Sequence, residues 1–155
     1  MKFDGIIKAL PNTPTERLYE QMAECRRRLG KNHDANVSAL FEAVRSELVD
    51  RFRSVGRRPM IDYFALGLNV GDNLIVEGCP DEVVAVLTNR TLKWRGSEIH
   101  LTPLKEKLRE IYARPFRSGT FKVGSKSLYE LYCDAYGVDP GEAEADVSES
   151  QQAVV

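Results

Sequence analysis

The residues that most invite a chemical reading are cations interleaved with aromatic rings in the second half of the chain. Lys105, Lys107 and Arg109 fall on a segment expected to be helical, and Arg114, Arg117, Lys122 and Lys126 follow through a loop and a strand. Tyr112, Phe116 and Phe121 stand among them. Guanidinium and ammonium groups fix phosphates in place, and an aromatic ring stacks on a base that is exposed or flipped. Trp94, between Lys93 and Arg95 on an expected strand, could add a second stacking surface. The plainer reading puts Phe116 and Phe121 in the core and Trp94 against a helix. The candidate nucleic-acid-binding set is therefore Lys105, Lys107, Arg109, Arg114, Arg117 and Lys122 for phosphates, with Tyr112, Phe116 or Trp94 for a base.

Two other cationic groups have a simpler explanation. Arg26, Arg27, Arg28 and Lys31 end one expected helix, and Arg51, Arg53, Arg57 and Arg58 surround the end of the next. Cations there complement the helix macrodipole, each by about 0.3–1 kcal/mol.

Other chemistries lack their residues. No G-x-x-x-x-G-K-[ST] or G-x-G-x-x-G phosphate loop is present, and the glycines of Gly119–Lys126 flank a strand instead of forming one loop. His33 and His100 are the two histidines and neither has a metal-ligand spacing; His100, beside Ile99 and Leu101, reads as a strand residue. No serine sits in a nucleophile elbow. Glu110 and Asp134 could pair as carboxylates, and Glu106-Lys107 is the nearest approach to a nuclease E-x-K, but on a helix. No catalytic residue, metal or cofactor is assigned. Cys25, Cys79 and Cys133 are an odd number, 54 residues apart in each interval, which suits reduced thiols better than a disulfide framework or a zinc site.

These side chains must be positioned by a mixed set of elements. Thr13-Pro14-Thr15-Glu16 reads as a capping box opening a helix with Leu18, Met22, Cys25 and Leu29 on one face, closed by Gly30. Asp34 caps a second helix striped by Val37, Leu40, Phe41, Val44, Leu48, Phe52 and Val55, stopped at Gly56. Together they form a helical hairpin. Pro59 to Leu66 is expected to add a helical turn or two. Short β-rich runs follow at 73–77, 82–88, 91–95 and 98–101, separated by turn residues, as in an antiparallel meander. A helix opens at Thr102-Pro103 with Leu104, Leu108 and Ile111 inward, Pro115 ends it, and 120–123 is a last strand. Ser127 and Glu130 make a capping box for a helix that buries Leu128, Leu131, Tyr132 and Ala135 and stops at Gly137. The fold class is α+β: an N-terminal helical hairpin (1–58), a small antiparallel β-meander with two packed helices (59–137), and an acidic C-terminal tail (138–155) expected to be disordered.

The 155 residues are enough for a buried core without staples. Net charge is −1, but all 22 cations lie before Val138 while five of the 23 acids lie after it, so residues 1–137 carry +4. That asymmetry favours an anionic partner. No run approaches the roughly 18 apolar residues of a membrane span, and Met1–Lys8 lacks a signal peptide's apolar stretch, so a cytoplasmic location is expected, with no membrane partner.

From Met60 to Gly137 the order of features resembles a known family. Leu66-Gly67-Leu68-Asn69-Val70-Gly71-Asp72-Asn73-Leu74 is similar to its "GL-x-x-G-D-x-L" turn into a strand, and Val84–Leu87 to Trp94-Arg95-Gly96 to its central hairpin. Ile99-His100-Leu101-Thr102-Pro103-Leu104 sits where it starts a helix, and Phe121–Leu128 resembles its closing "W-x-x-x-G-x-x-L" element. The family is the restriction enzyme and adenine methylase associated (RAMA-like) domain, with a related phage-borne family of unknown function. Departures are Leu101-Thr102-Pro103 in place of "S-P-S", Ser118-Gly119-Thr120 in place of "N-G-W", and Phe121 in place of tryptophan. The resemblance implies a DNA-reading module, with modified bases among its targets, in a phage, mobile-element or restriction setting.

The leading expectation is a non-enzymatic nucleic-acid-binding protein, DNA before RNA. One alternative is a protein-interaction or inhibitor factor acting through residues 14–55, where a homodimer could also form, or through the acidic tail. Another is a metal-dependent nuclease without a recognisable motif.

Overall fold

A computed structural model describes residues 2–140. The elements run α1 (Asp4–Ala9), a 3-10 turn (Leu10–Asn12), α2 (Thr15–Lys31), α3 (Ala35–Arg53), β1 (Asn73–Val76), β2 (Val83–Val86), β3 (Leu92–Trp94), β4 (Ser97–Ile99), α4 (Leu101–Tyr112), a 3-10 turn (Ser118–Thr120), β5 (Phe121–Val123), β6 (Lys126–Ser127) and α5 (Leu128–Tyr136). The fold class is α+β, with α2 and α3 as the helical hairpin ahead of an antiparallel sheet.

Apolar spacing makes the helices, and local polar groups set their ends. Leu18, Tyr19, Met22 and Cys25 form the buried stripe of α2. Asp34 begins α3 as expected, its Oδ1 accepting from the amides of Asn36 at 2.8 Å and Val37 at 3.3 Å. The start of α2 differs from expectation. Thr13 turns its hydroxyl back to donate to the Ala9 carbonyl at 2.9 Å, and Glu16 reaches Arg90 instead, so no capping box forms. Gly30 lies inside α2 and does not end it. Val55, placed by periodicity on the inner stripe of α3, lies beyond the helix end and is 67% exposed.

The sheet order is β4-β3-β2-β1-β5-β6, antiparallel throughout. Arg95 and Gly96 join β3 to β4 with positive φ at both positions (51° and 77°), the backbone of a tight hairpin turn. Leu74, Val76, Val84, Val86, Leu92, Trp94 and Phe121 are buried, and the helices cover them. His100 lies past the end of β4 at the N-cap position of α4, so its apolar neighbours were a misleading strand signal. Ile111 is turned out at 48% exposure, and Leu101 takes the inward place at the other end of α4. At α5 the Ser127–Glu130 capping box is formed, and Gly137 closes the helix with φ 71°.

Residues 59–66 are not helical. Asp62 is buried and accepts from the amides of Phe64 and Ala65 at 3.0 and 3.1 Å, which makes a capped turn closed by Gly67 at φ 93°. The preceding stretch is pinned by phenols: Tyr132 donates to the Pro59 carbonyl and Tyr136 to that of Met60 at 3.4 Å. Burial pushes both hydroxyls above the ordinary tyrosine range, so they remain donors.

Hairpin and sheet share one continuous cluster of buried side chains. Tyr19 of α2 meets Tyr136 of α5 edge to face at 6.4 Å, and Arg90 lies over the Tyr19 ring at 4.3 Å while bonding Glu16 at 3.1 Å. Residues 138–140 continue from α5: Val138 packs on the core and Asp139 pairs with Arg58 at 3.4 Å. The remainder of the expected tail, 141–155, lies outside the described residues. None of the described helices is long and apolar enough to cross a membrane. Cys25 and Cys79 are buried and Cys133 half-buried, all as free thiols.

A cationic cleft as the candidate functional site

The candidate residues divide into separate groups. Trp94 is 8% exposed, and its indole Nε1 donates to Glu82 at 2.8 Å. Arg95 and Tyr112 donate to the same carboxylate at 2.8 and 2.5 Å. These donors, Arg95 first and then Tyr112 and Trp94, outweigh the cost of burial and hold the Glu82 carboxyl down at about 2. The bond to Glu82 in turn pushes the Tyr112 phenol up to about 12. Trp94 and Tyr112 are therefore committed to a structural knot between β2, β3 and the end of α4.

Arg114 is also spent inside the fold. Its Nη2 donates to the Glu77 carbonyl at 2.6 Å and lies 3.2 Å from the Cys79 sulfur, with the guanidinium 4.4 Å above the buried Phe116 ring. Lys122 pairs with Glu77 at 3.2 Å. Arg117 is exposed ahead of the 3-10 turn, its amide donating to Thr120 Oγ1 at 3.1 Å. Helical spacing puts Lys105, Arg109 and Tyr112 along one flank of α4 and Lys107 on the opposite flank with Ile111. Of the nine candidates, Lys105 lines the largest concavity described below.

That site is a cleft of about 680 Å³ where six separate stretches of chain meet. The pinned segment Arg57–Ile61 forms one wall, and the start of α4 (His100, Leu101, Thr102, Lys105) forms another. Leu128 and Tyr132 of α5 line the floor with Ser118, while Arg90 and Pro140 complete the lining. Arg57, Arg58, Arg90 and Lys105 are cationic, and among the described residues no Asp, Glu or Cys lines the cleft. Arg90 is held from behind, with Nε 3.7 Å from the buried Asp62 and Nη2 on Glu16; its charge is largely answered. Arg57, Arg58 and Lys105 are the cations at the mouth, Arg58 being paired with Asp139 at 3.4 Å.

Sequence reasoning missed most of this site. In the sequence Arg57 and Arg58 read as cations complementing the end of α3, yet Gly56 (φ 70°) turns the chain away first. The usable signal was two consecutive arginines between a helix-ending glycine and Pro59. Nothing marked Leu128 or Tyr132, which read as core.

Other surfaces are less concave. On the open face of the sheet Ile75 and Val83 are register partners, 59% and 69% exposed, with Lys122 opposite Ile75. Apart from Val55, the hairpin turns its large apolar side chains into the shared core, so a protein partner or second copy on residues 14–55 would meet mainly polar groups. Among the described residues no three His, Cys, Asp or Glu are grouped to hold a metal.

No protein-family model matches the chain, and no curated protein and no solved structure does so. The functional reading rests on the geometry of the chain itself.

Proposed function

We propose that this protein binds nucleic acid through the cleft, taking an exposed base on its apolar floor and the flanking phosphates on Arg57, Arg58 and Lys105. The observation that carries this reading is the composition of one concavity: cations at the mouth, apolar side chains below, and no carboxylate among the described lining residues. Its volume falls in the range of about 300–1,000 Å³ typical of small-molecule sites, enough for a base and sugar. A bare phosphate site would not need the apolar lining of Ile61, Leu101 and Leu128. An apolar ligand would gain nothing from the cations.

Fluorescence anisotropy with labelled single-stranded and duplex DNA, plain and methylated, tests the proposal. Single strands bind more tightly, because their bases are already exposed. With about three phosphates neutralised, affinity falls roughly ten- to twentyfold between 50 and 200 mM salt. Arg57→Ala and Lys105→Ala each lower the salt slope by about one contact. Absence of binding to every probe, or binding indifferent to both substitutions, overturns it.

A further inference from the structure

The chain carries its own candidate occupant for the cleft. Asp139 already pairs with the cleft cation Arg58, and Pro140 is part of the cleft wall. The next nine residues bring Glu142, Glu144, Asp146 and Glu149 with no Lys or Arg. We propose that segment 141–149 docks in the cleft as an acidic pseudo-ligand, which an incoming polyanion must displace. Docking stands on the cleft alone; the competition with nucleic acid rests on the function proposed above.

Three observations favour this occupant. The charges are complementary, since the described lining of the mouth is cationic while every acid beyond Pro140 lies in this short stretch. The point of attachment is right, because the last described residue stands in the cleft wall, and nine extended residues reach up to about 30 Å. The pattern is right as well. Glu142, Glu144 and Asp146 alternate with Ala143 and Ala145, which on an extended path sends three carboxylates to one side and small methyls to the other. Tethering supplies an effective concentration in the millimolar range, so weak contacts suffice.

The test uses the full chain with Glu142→Gln, Glu144→Gln, Asp146→Asn and Glu149→Gln together, compared with the parent by amide-resolved NMR at about 50 mM salt, well below full screening. The amides of Leu101, Thr102 and Lys105 are expected to shift on neutralisation. A synthetic peptide of residues 141–155 added to the neutralised protein moves them back toward the parent positions. Single-stranded DNA binds the neutralised protein roughly three- to tenfold more tightly, as removal of a tethered competitor requires. Cleft shifts without DNA binding by either protein uphold docking and sink the nucleic-acid reading. Unchanged cleft amides overturn docking, even if DNA affinity rises, because general repulsion by the tail accounts for that rise.

Discussion

Glu82 shows how a single side chain is fixed by its surroundings. Its carboxylate, nearly excluded from water, accepts from an indole, a guanidinium and a phenol. Those donors favour the ionised form, so its pKa sits at about 2, below the usual glutamate value. A depressed carboxyl contributes stability that is present above the unfolded-state pKa, near 4.3, and is lost as pH falls from there toward 2. Glu82→Gln is expected to cost about 1–2 kcal/mol in urea unfolding at pH 7, with the gap from the parent narrowing as pH drops from 4.5 toward 2. A gap that stays constant over that interval contradicts the assignment. The burial of Trp94 was legible from its alternation with Lys93. Its bond to Glu82 was not, because the partners come together only once β2 pairs with β3 and α4 returns across the sheet.

At the scale of elements, the residues between α4 and β5 act as a brace for the β1–β2 connection. Gly78 has φ 80°, and a Cβ there would stand 2.8 Å from Arg114 Nη2, so turn and guanidinium are fitted to one another. Arg114→Ala is expected to lower stability by about 1–2 kcal/mol through the lost hydrogen bond and cation–π contact, while leaving DNA affinity within about twofold. Lost affinity with unchanged unfolding would return Arg114 to the phosphate contacts. Elements with strong local signals were readable from the sequence: Asp34 before α3, Ser127 and Glu130 at α5, glycine-marked hairpins. Weak or long-range ones were not. α1 is six residues with no buried side chain, β6 is two residues, and the turn at 62–67 is made by Asp62 reaching neighbouring amides.

For the whole molecule, the decisive feature is where distant stretches converge. The cleft draws on positions between 57 and 140 that share no sequence motif, and it exists because phenols of α5 hold the Pro59–Met60 carbonyls while Arg90 ties the sheet to α2. Periodicity made the α+β class legible, but neither it nor composition could show which cations share a concavity. The same convergence sorts the cations by place: Arg114 holds the Glu77 carbonyl and Lys122 pairs with Glu77, whereas Arg57, Arg58 and Lys105 line the cleft. The most direct test is amide-resolved NMR titration of the full chain with a short single-stranded oligonucleotide at low salt. The account predicts saturable shifts at Ile61, Leu101, Thr102, Lys105 and Tyr132, reversed by added salt. Shifts confined to the open sheet face around Ile75, Val83 and Lys122, or no shifts at all, would contradict it.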